Sequence, residues 1–198
     1  MIDFVKKYAK NIKYSQNGEE GILLEIHNRI GPFEYCCEYG AHNGRYCSNT
    51  RYFIDELKFK GVMIEADKHL YGQISGDGIE KINCEVNPSN INYLVSDYVD
   101  ILSIDTDDNN DYDCFMALRH RPRVIVIEIN SGIRPTDQHS KTGYRMMTQL
   151  GIDKGYFLLC HTGNLVFVDE AWRTHFPEIV GNGIDNYEQY FNESWLNG

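Results

Sequence analysis

Glu38, Gly40 and Gly44 fall in the pattern Glu-x-Gly-x-x-x-Gly, within Glu38-Tyr39-Gly40-Ala41-His42-Asn43-Gly44. Gly40 and Gly44 can take backbone angles closed to other residues, and they let a ligand lie against bare backbone. Ser48-Asn49-Thr50 follows, with the chemistry of a helix N-cap. A helix start there offers unpaired N–H groups and partial positive charge. The stretch is suited to hold a polar cofactor. It matches neither the Gly-x-Gly-x-x-Gly dinucleotide fingerprint nor a P-loop, which ends in Gly-Lys-Ser/Thr. Taken alone, the motif also fits an ordinary glycine-bearing turn.

A second acidic signal follows in Gly61-Val62-Met63-Ile64-Glu65-Ala66-Asp67. It falls about twenty residues past the glycine turn, where Rossmann-like folds place a carboxylate that accepts from ribose hydroxyls. Glu65 is the better placed of its two acids. A third lies in Asp105, Asp107, Asp108, Asp111 and Asp113, crowded into nine positions. Such crowding is costly unless the charges are solvated or bridged by a cation. An EF-hand is excluded: counted from Asp105, its sixth position is Asn110 instead of Gly and its twelfth is Met116 instead of Glu. Two readings remain. One is a hard cation such as Mg²⁺ held by Asp105 and Asp107 from one strand end and Glu128 and Asn130 from the next. Adjacent parallel strands lie ~4.8 Å apart. The other is a solvated acidic loop. His42 sits in the glycine turn. His139 and His161 follow strand ends, so either could be a general base. Position alone makes Arg134 and Trp172 candidates to shape a substrate site.

The elements that must position these residues alternate. Residues 2–12 and 22–27 have helical apolar spacing, the second ending near Gly31-Pro32. Strands are predicted at 35–37, 61–67, 81–86, 99–105 and 123–130, with helices near 48–58, 88–94, 112–118 and 142–151, and a mobile glycine-rich loop at 72–79. The run Arg123 to Asn130 is continuously apolar and β-branched, as in a central parallel strand covered on both faces. Residues 155–160 and 164–168 form a hairpin around Thr162-Gly163. The expectation is an α/β fold, a mostly parallel doubly wound Rossmann-like sheet with an antiparallel C-terminal hairpin, binding ligands at the carboxyl ends of its strands. One domain is expected over 1–198, with N-terminal helices at 1–31, the core at 34–168 and a tail at 169–198.

The 198 residues carry 29 Asp and Glu against 19 Lys and Arg, a net charge of −10. That opposes binding to a phosphate backbone, so no nucleic-acid partner is expected. None of the six cysteines forms a Cys-x-x-Cys pair. Several sit in apolar runs and read as reduced, buried thiols. With no signal-peptide core and no membrane-length apolar run, the expected location is the cytoplasm, away from membrane.

Taken together, several segments resemble the FkbM-like S-adenosylmethionine-dependent methyltransferases. They are Tyr14 to Glu19, the glycine turn with Ser48-Asn49-Thr50, Gly61 to Asp67, Asp100 to Asp107, Pro122 to Asn130, and Lys154-Gly155-Tyr156 with Gly163-Asn164. The resemblance spans residues 14–168 in order. It implies a class I methyltransferase fold, S-adenosylmethionine as cofactor, and methylation of a hydroxyl on a sugar or small metabolite. Carried across position by position, it would place Glu38, Gly40 and Gly44 against the cofactor and Glu65 on its ribose; Gln16, Ala41, His42, Asn43, Asn49, Ala66, Asp67 and Asp105 complete the expected cofactor contacts, and Asp105 joins the positional candidates His139 and His161 as catalytic. The sequence departs from the family after Asp107, where Asp108-Asn109-Asn110-Asp111-Tyr112 carries an extra residue and lacks a glycine. That alters the loop on which the metal reading depends. A fold-retaining, non-catalytic binding module is the alternative.

Overall fold

The computed structural model describes residues 2–94, 98–106 and 110–197. Its centre is a seven-stranded sheet in the order β3-β2-β1-β4-β5-β7-β6. The strands are β1 (Tyr35–Tyr39), β2 (Lys60–Glu65), β3 (Ile79–Asn83), β4 (Ile101–Ile104), β5 (Val124–Glu128), β6 (Tyr156–His161) and β7 (Asn164–Asp169). The first five pair in parallel, and β7 lies antiparallel between β5 and β6. This is the expected α/β architecture, a mostly parallel Rossmann-like sheet with an antiparallel hairpin at its edge.

The pleat sends alternate residues to two cores. Cys37, Tyr39, Leu102, Ile104, Ile125 and Ile127 face α5 (Asp111–Ala117) and α6 (Tyr144–Asp153), through Phe115, Tyr144 and Met147. Cys36, Met63, Ile101, Val124 and Val126 face α2 (Glu19–Ile30) and α3 (Arg51–Asp55), through Ile22, Leu23, Ile26 and Phe53. Helices on both faces explain why β5 is apolar at four successive positions, Val124 to Ile127, instead of every second one. No helix among the described residues is long and apolar enough to cross a membrane.

Several predicted bounds shift for local reasons. Helix α1 covers Ile2–Tyr8 and stops short of residue 12. Beyond it, Lys10 is drawn into a bridge with the Gly18–Gly21 turn, its N–H donating to Gly18 and its carbonyl accepting from Gly21, both at 3.2 Å. Helix α3 ends at Asp55 instead of 58 because Phe59 N–H turns back to the carbonyl of Phe53 at 3.1 Å. Lys58 takes φ 63° there, the left-handed closure usually given to glycine. The supposed loop at 72–79 is partly α4 (Lys68–Gln73), capped by Asp67. Residues 88–94 form turns and no helix. Asn87 Oδ1 accepts from Ser89 N–H at 3.0 Å and Asn90 Oδ1 from Asn87 N–H at 2.8 Å, side-chain bonds that compete with helical ones. The tail folds into short 3₁₀ turns at Glu170–His175, Tyr187–Gln189 and Glu193–Asn197.

Candidate functional site

The glycine turn joins β1 to α3 at the carboxyl edge of the sheet. Gly40 has φ 74°, and a Cβ there would lie 1.5 Å from the carbonyl oxygen of Asp105. Glycine is therefore demanded by the chain's own β4 end as well as by any ligand. Gly40 and Ala41 N–H both donate to the carbonyl of Ile64 at 3.0 Å, which draws the turn against β2. Gly44, at φ 75°, closes back on the Ala41 carbonyl at 2.7 Å. A Cβ on it would press Met63 and Ile74, so Gly44 serves packing.

Glu65 ends β2 beside this turn and is 8% exposed. One carboxylate oxygen accepts from His42 N–H and the other from Asp67 N–H, each at 2.7 Å. Two backbone amides thus fix its plane while each oxygen keeps lone-pair capacity for a further donor. Glu65 lines a cleft of about 350 Å³ with Gly40, Ile64, Ala66, Cys84, Glu85, Val86 and Thr106. That volume lies within the range of small-molecule sites. Thr106 is held by Asp111, whose Oδ1 accepts from its N–H and hydroxyl at 3.1 and 2.6 Å. His42 Nδ1, in the turn, is buried with no hydrogen-bond partner among the described residues. A strand-end carboxylate and a bare-backbone turn together fit a polar, hydroxyl-bearing ligand.

Other expected cofactor contacts are spoken for by the protein. Glu38 is buried and accepts from Ser48 Oγ at 2.5 Å, Asn49 N–H at 2.8 Å and Thr50 Oγ1 at 2.8 Å. Burial pushes its carboxyl pKa up, and these donors pull it back. Glu38 thus ties the turn's exit to β1. Asn49 gives its side-chain amide to Ser103 Oγ at 3.0 Å. Asn43 Oδ1 caps Arg45 and Tyr46 N–H at 3.0 and 2.9 Å. Asp67 caps α4 through His69 and Leu70 N–H at 2.7 and 2.9 Å. Gln16 is exposed and absent from the cleft wall. Its neighbours in sequence act as anchors. Glu20 accepts from Ile12, Lys13 and Tyr14 N–H at 2.6–2.8 Å. Glu19 accepts from Thr162 Oγ1 at 2.9 Å.

The metal set does not assemble as expected. β4 and β5 are neighbours, with Ile104 opposite Ile127, so Asp105 and Glu128 do end adjacent strands. Asp107, however, lies outside the described residues. Asn130 Oδ1 accepts from Gly132 N–H at 3.0 Å in a tight local turn. Among the described residues no group of three or more His, Cys, Asp or Glu is placed to hold an ion. Part of the acidic crowding is relieved by the protein: Asp111 holds Thr106, and Asp113 pairs with Lys141 at 2.7 Å.

Neither proposed histidine base reaches the cleft. His139 is exposed on the β5–α6 loop, its N–H bound to Asp137 Oδ1 at 2.8 Å. His161 is 2% exposed and stacked on Phe191 at 4.7 Å. Its Nε2 lies 2.9 Å from Ser131 Oγ, and that hydroxyl donates to the Gly163 carbonyl at 3.0 Å. The hydroxyl's one proton is thereby used, so His161 donates from Nε2. Burial lowers its pKa to about 4. Of the positional guesses, Arg134 is exposed in that same loop, and Trp172 lies under Arg123 in the tail's first turn. Sequence reasoning missed Arg51, buried in α3, which donates to the carbonyls of Gly44 and Ser75 at 3.2 and 2.7 Å. It also missed Cys84 in the cleft wall. Neither sits in a motif that would have marked it.

Solved structures share this fold. The chain superposes on monomeric WbdD with a TM-score of 0.54 and 10% identity, covering 86% of this chain and 44% of that one. It superposes on the SAH-bound Podospora anserina methyltransferase PaMTH1 with a TM-score of 0.53 and 13% identity, covering 78% and 79%. For an O-methyltransferase from Bacillus cereus in complex with SAH the values are 0.52 and 15%, covering 85% and 88%. The chain spans less than two thirds of some similar folds, 66% of Aeropyrum pernix fibrillarin and 60% of MtNAS. These likenesses establish a Rossmann-like methyltransferase fold. No protein-family model and no curated protein matches the chain, so the FkbM-like resemblance stands on its motifs.

Proposed function

We propose that this chain binds S-adenosylmethionine in the carboxyl-edge cleft and transfers its methyl group to a hydroxyl of a sugar or small metabolite. The observation that carries the reading is Glu65, a buried carboxylate at the β2 end whose two oxygens are aimed by backbone amides and still have room to accept. Glu65 would take the ribose hydroxyls. Gly40 and Ala66 would give the cofactor bare or nearly bare backbone, and Cys84 with Val86 would form the wall for its base. When bound, the cofactor supplies a methyl group already activated by its sulfonium. The chain's own task is then alignment and removal of the acceptor's proton. Asp105, next to Gly40, is the candidate for the proton, since His139 and His161 lie elsewhere. Supporting the reading are the sheet order and the solved methyltransferases that share it.

Calorimetric titration with S-adenosylmethionine, S-adenosylhomocysteine and NAD tests it. Micromolar binding of the two sulfur nucleotides is expected, with Glu65→Ala weaker by about 1.5–3 kcal/mol, the worth of a charge-assisted hydrogen bond. Preference for NAD sinks the proposal. A second reading, a non-catalytic module that keeps the cofactor, is favoured by one observation: both expected histidine bases are outside the cleft. Cofactor binding without turnover on any hydroxylated acceptor would select it. Activity unaffected by EDTA would settle against the Asp105, Asp107, Glu128 and Asn130 metal site.

A further inference from the structure

A cavity of about 710 Å³ lies at the opposite edge of the sheet from the cleft, where β1 and β2 begin. We propose that this amino-edge cavity is a second ligand site, shaped for a flat aromatic carboxylate. The proposal does not depend on what occupies the carboxyl-edge cleft.

The apolar half of the site is built from rings. Phe33 and Phe59 are buried at 2% and 4%, fixed on either side of the His27 ring at centroid distances of 5.4 and 5.5 Å. Leu57 and Tyr98 complete the wall and are 37% and 60% exposed. The Phe33 and Phe59 rings make a rigid base closed to solvent, and the exposed Tyr98 ring and Leu57 side chain are the apolar surface a planar ligand would cover at little entropic cost. Isolated exposed apolar residues mean nothing, but two on the rim of one cavity mark a place where apolar surface would gain by being covered.

The polar half carries positive charge in a chain whose net charge is −10. Lys58 and Lys60 flank Phe59, are exposed, and line the cavity. The Arg123 guanidinium stands 5.4 Å from the Phe33 ring, outside the cavity wall, with its Nη1 donating to the Pro32 carbonyl at 3.1 Å. His27 Nδ1 accepts from Phe33 N–H at 3.3 Å, which leaves its proton on Nε2 as a donor. Glu34 is the one carboxylate in the wall, against the two lysines. Asp100, behind it, is buried, and its Oδ2 is occupied by Glu34 and Tyr35 N–H at 2.8 and 3.1 Å. Its other oxygen lies 3.5 Å from Arg123 Nε. An acidic chain repels anions in general, so two lysines beside the exposed Tyr98 ring and Leu57 select ligands that offer both a ring and a negative head. A carboxylate suits it because ammonium groups and an imidazole N–H are single-point donors.

The test is calorimetric titration of the full chain with 2-naphthoate, beside uncharged 2-naphthalenemethanol. Saturable one-site binding of naphthoate is expected at low millimolar concentration or below, at least about tenfold tighter than the alcohol. Leu57→Glu puts a like charge on an exposed rim position without cutting the core, and should abolish binding while leaving the melting temperature unchanged. Lys60→Gln should weaken it about threefold, as for a solvent-exposed charge contact. Excess S-adenosylhomocysteine should not displace the ligand. The proposal is overturned if there is no saturable binding, if the alcohol binds equally well, if Leu57→Glu leaves affinity intact, or if S-adenosylhomocysteine competes.

Discussion

The main-chain nitrogen of His42 lies 2.7 Å from Oε2 of Glu65, so the glycine turn and the end of β2 are locked to one another through a carboxylate. The same carboxylate is the one proposed to accept from the cofactor. Glu65→Gln keeps the side chain's shape and one acceptor but removes the charge. Affinity for S-adenosylhomocysteine should fall at least about tenfold, or 1.4 kcal/mol, while the folded circular-dichroism spectrum is retained. An unchanged affinity would show that Glu65 only staples the turn.

Gly40 makes a different prediction from the one its motif suggests. A Cβ would strike the Asp105 carbonyl at 1.5 Å and would also sit at φ 74°. Gly40→Ala should therefore destabilise the protein by about 2–4 kcal/mol from backbone strain and overpacking, with or without cofactor. Urea denaturation measures this. A near-neutral result would mean that the turn can swing away from β4.

Cys84 gives a readout that needs no acceptor. Cys36, Cys37, Cys114 and Cys160 are buried, and burial raises the thiol pKa of Cys36, Cys37 and Cys160. Cys84 is half-exposed in the cleft wall. Iodoacetamide should modify Cys84 in the free protein, and S-adenosylhomocysteine should slow that reaction severalfold, as read by peptide mass spectrometry. Equal rates with and without ligand would move the cofactor elsewhere.

His161 predicts a pH dependence. Burial depresses its folded pKa to about 4, below the usual unfolded value of about 6.5. Between these values the unfolded chain holds the proton and the folded one does not, so stability falls as pH drops from 6.5 to 4 and then levels off. The slope from this residue is up to about 1.4 kcal/mol per pH unit. Glu19 and Glu38, whose pKa values burial raises, act in the opposite direction as they take up protons in the fold. The comparison must therefore be with His161→Gln, which should lose stability at pH 7 yet show a flatter profile between pH 6.5 and 4.

The fold was legible because its central strands are continuous apolar runs, such as Val124–Glu128, that only a sheet covered on both faces can bury. The placement of Glu65 at the end of β2 beside the glycine turn was legible because its spacing reflects the length of one strand–helix–strand unit. Glu38, Asn43, Asn49 and Asp67 have structural roles that the sequence hid for one shared reason. Sequence shows that a polar side chain stands near a turn, and it does not show whether backbone N–H groups have already claimed it. In the acidic loop the sequence likewise hides that Lys141 approaches Asp113 from 28 residues away. Helix ends such as that of α3 depended on one residue, Lys58, accepting a left-handed conformation that its identity does not advertise.

The position of β7 between β5 and β6 has a consequence for how the chain is made. Strand β6 leaves the ribosome first but has no seat on the sheet until residues 164–169 arrive to separate it from β5. During that interval the β5 edge, Val124 to Ile127, lacks its β7 neighbour and is an open hydrogen-bonding edge. Glu19 is in the same position, made early and waiting for Thr162 to satisfy it. Synthesis paused before residue 164 should therefore yield a chain held by chaperones, and release should follow the emergence of one short strand.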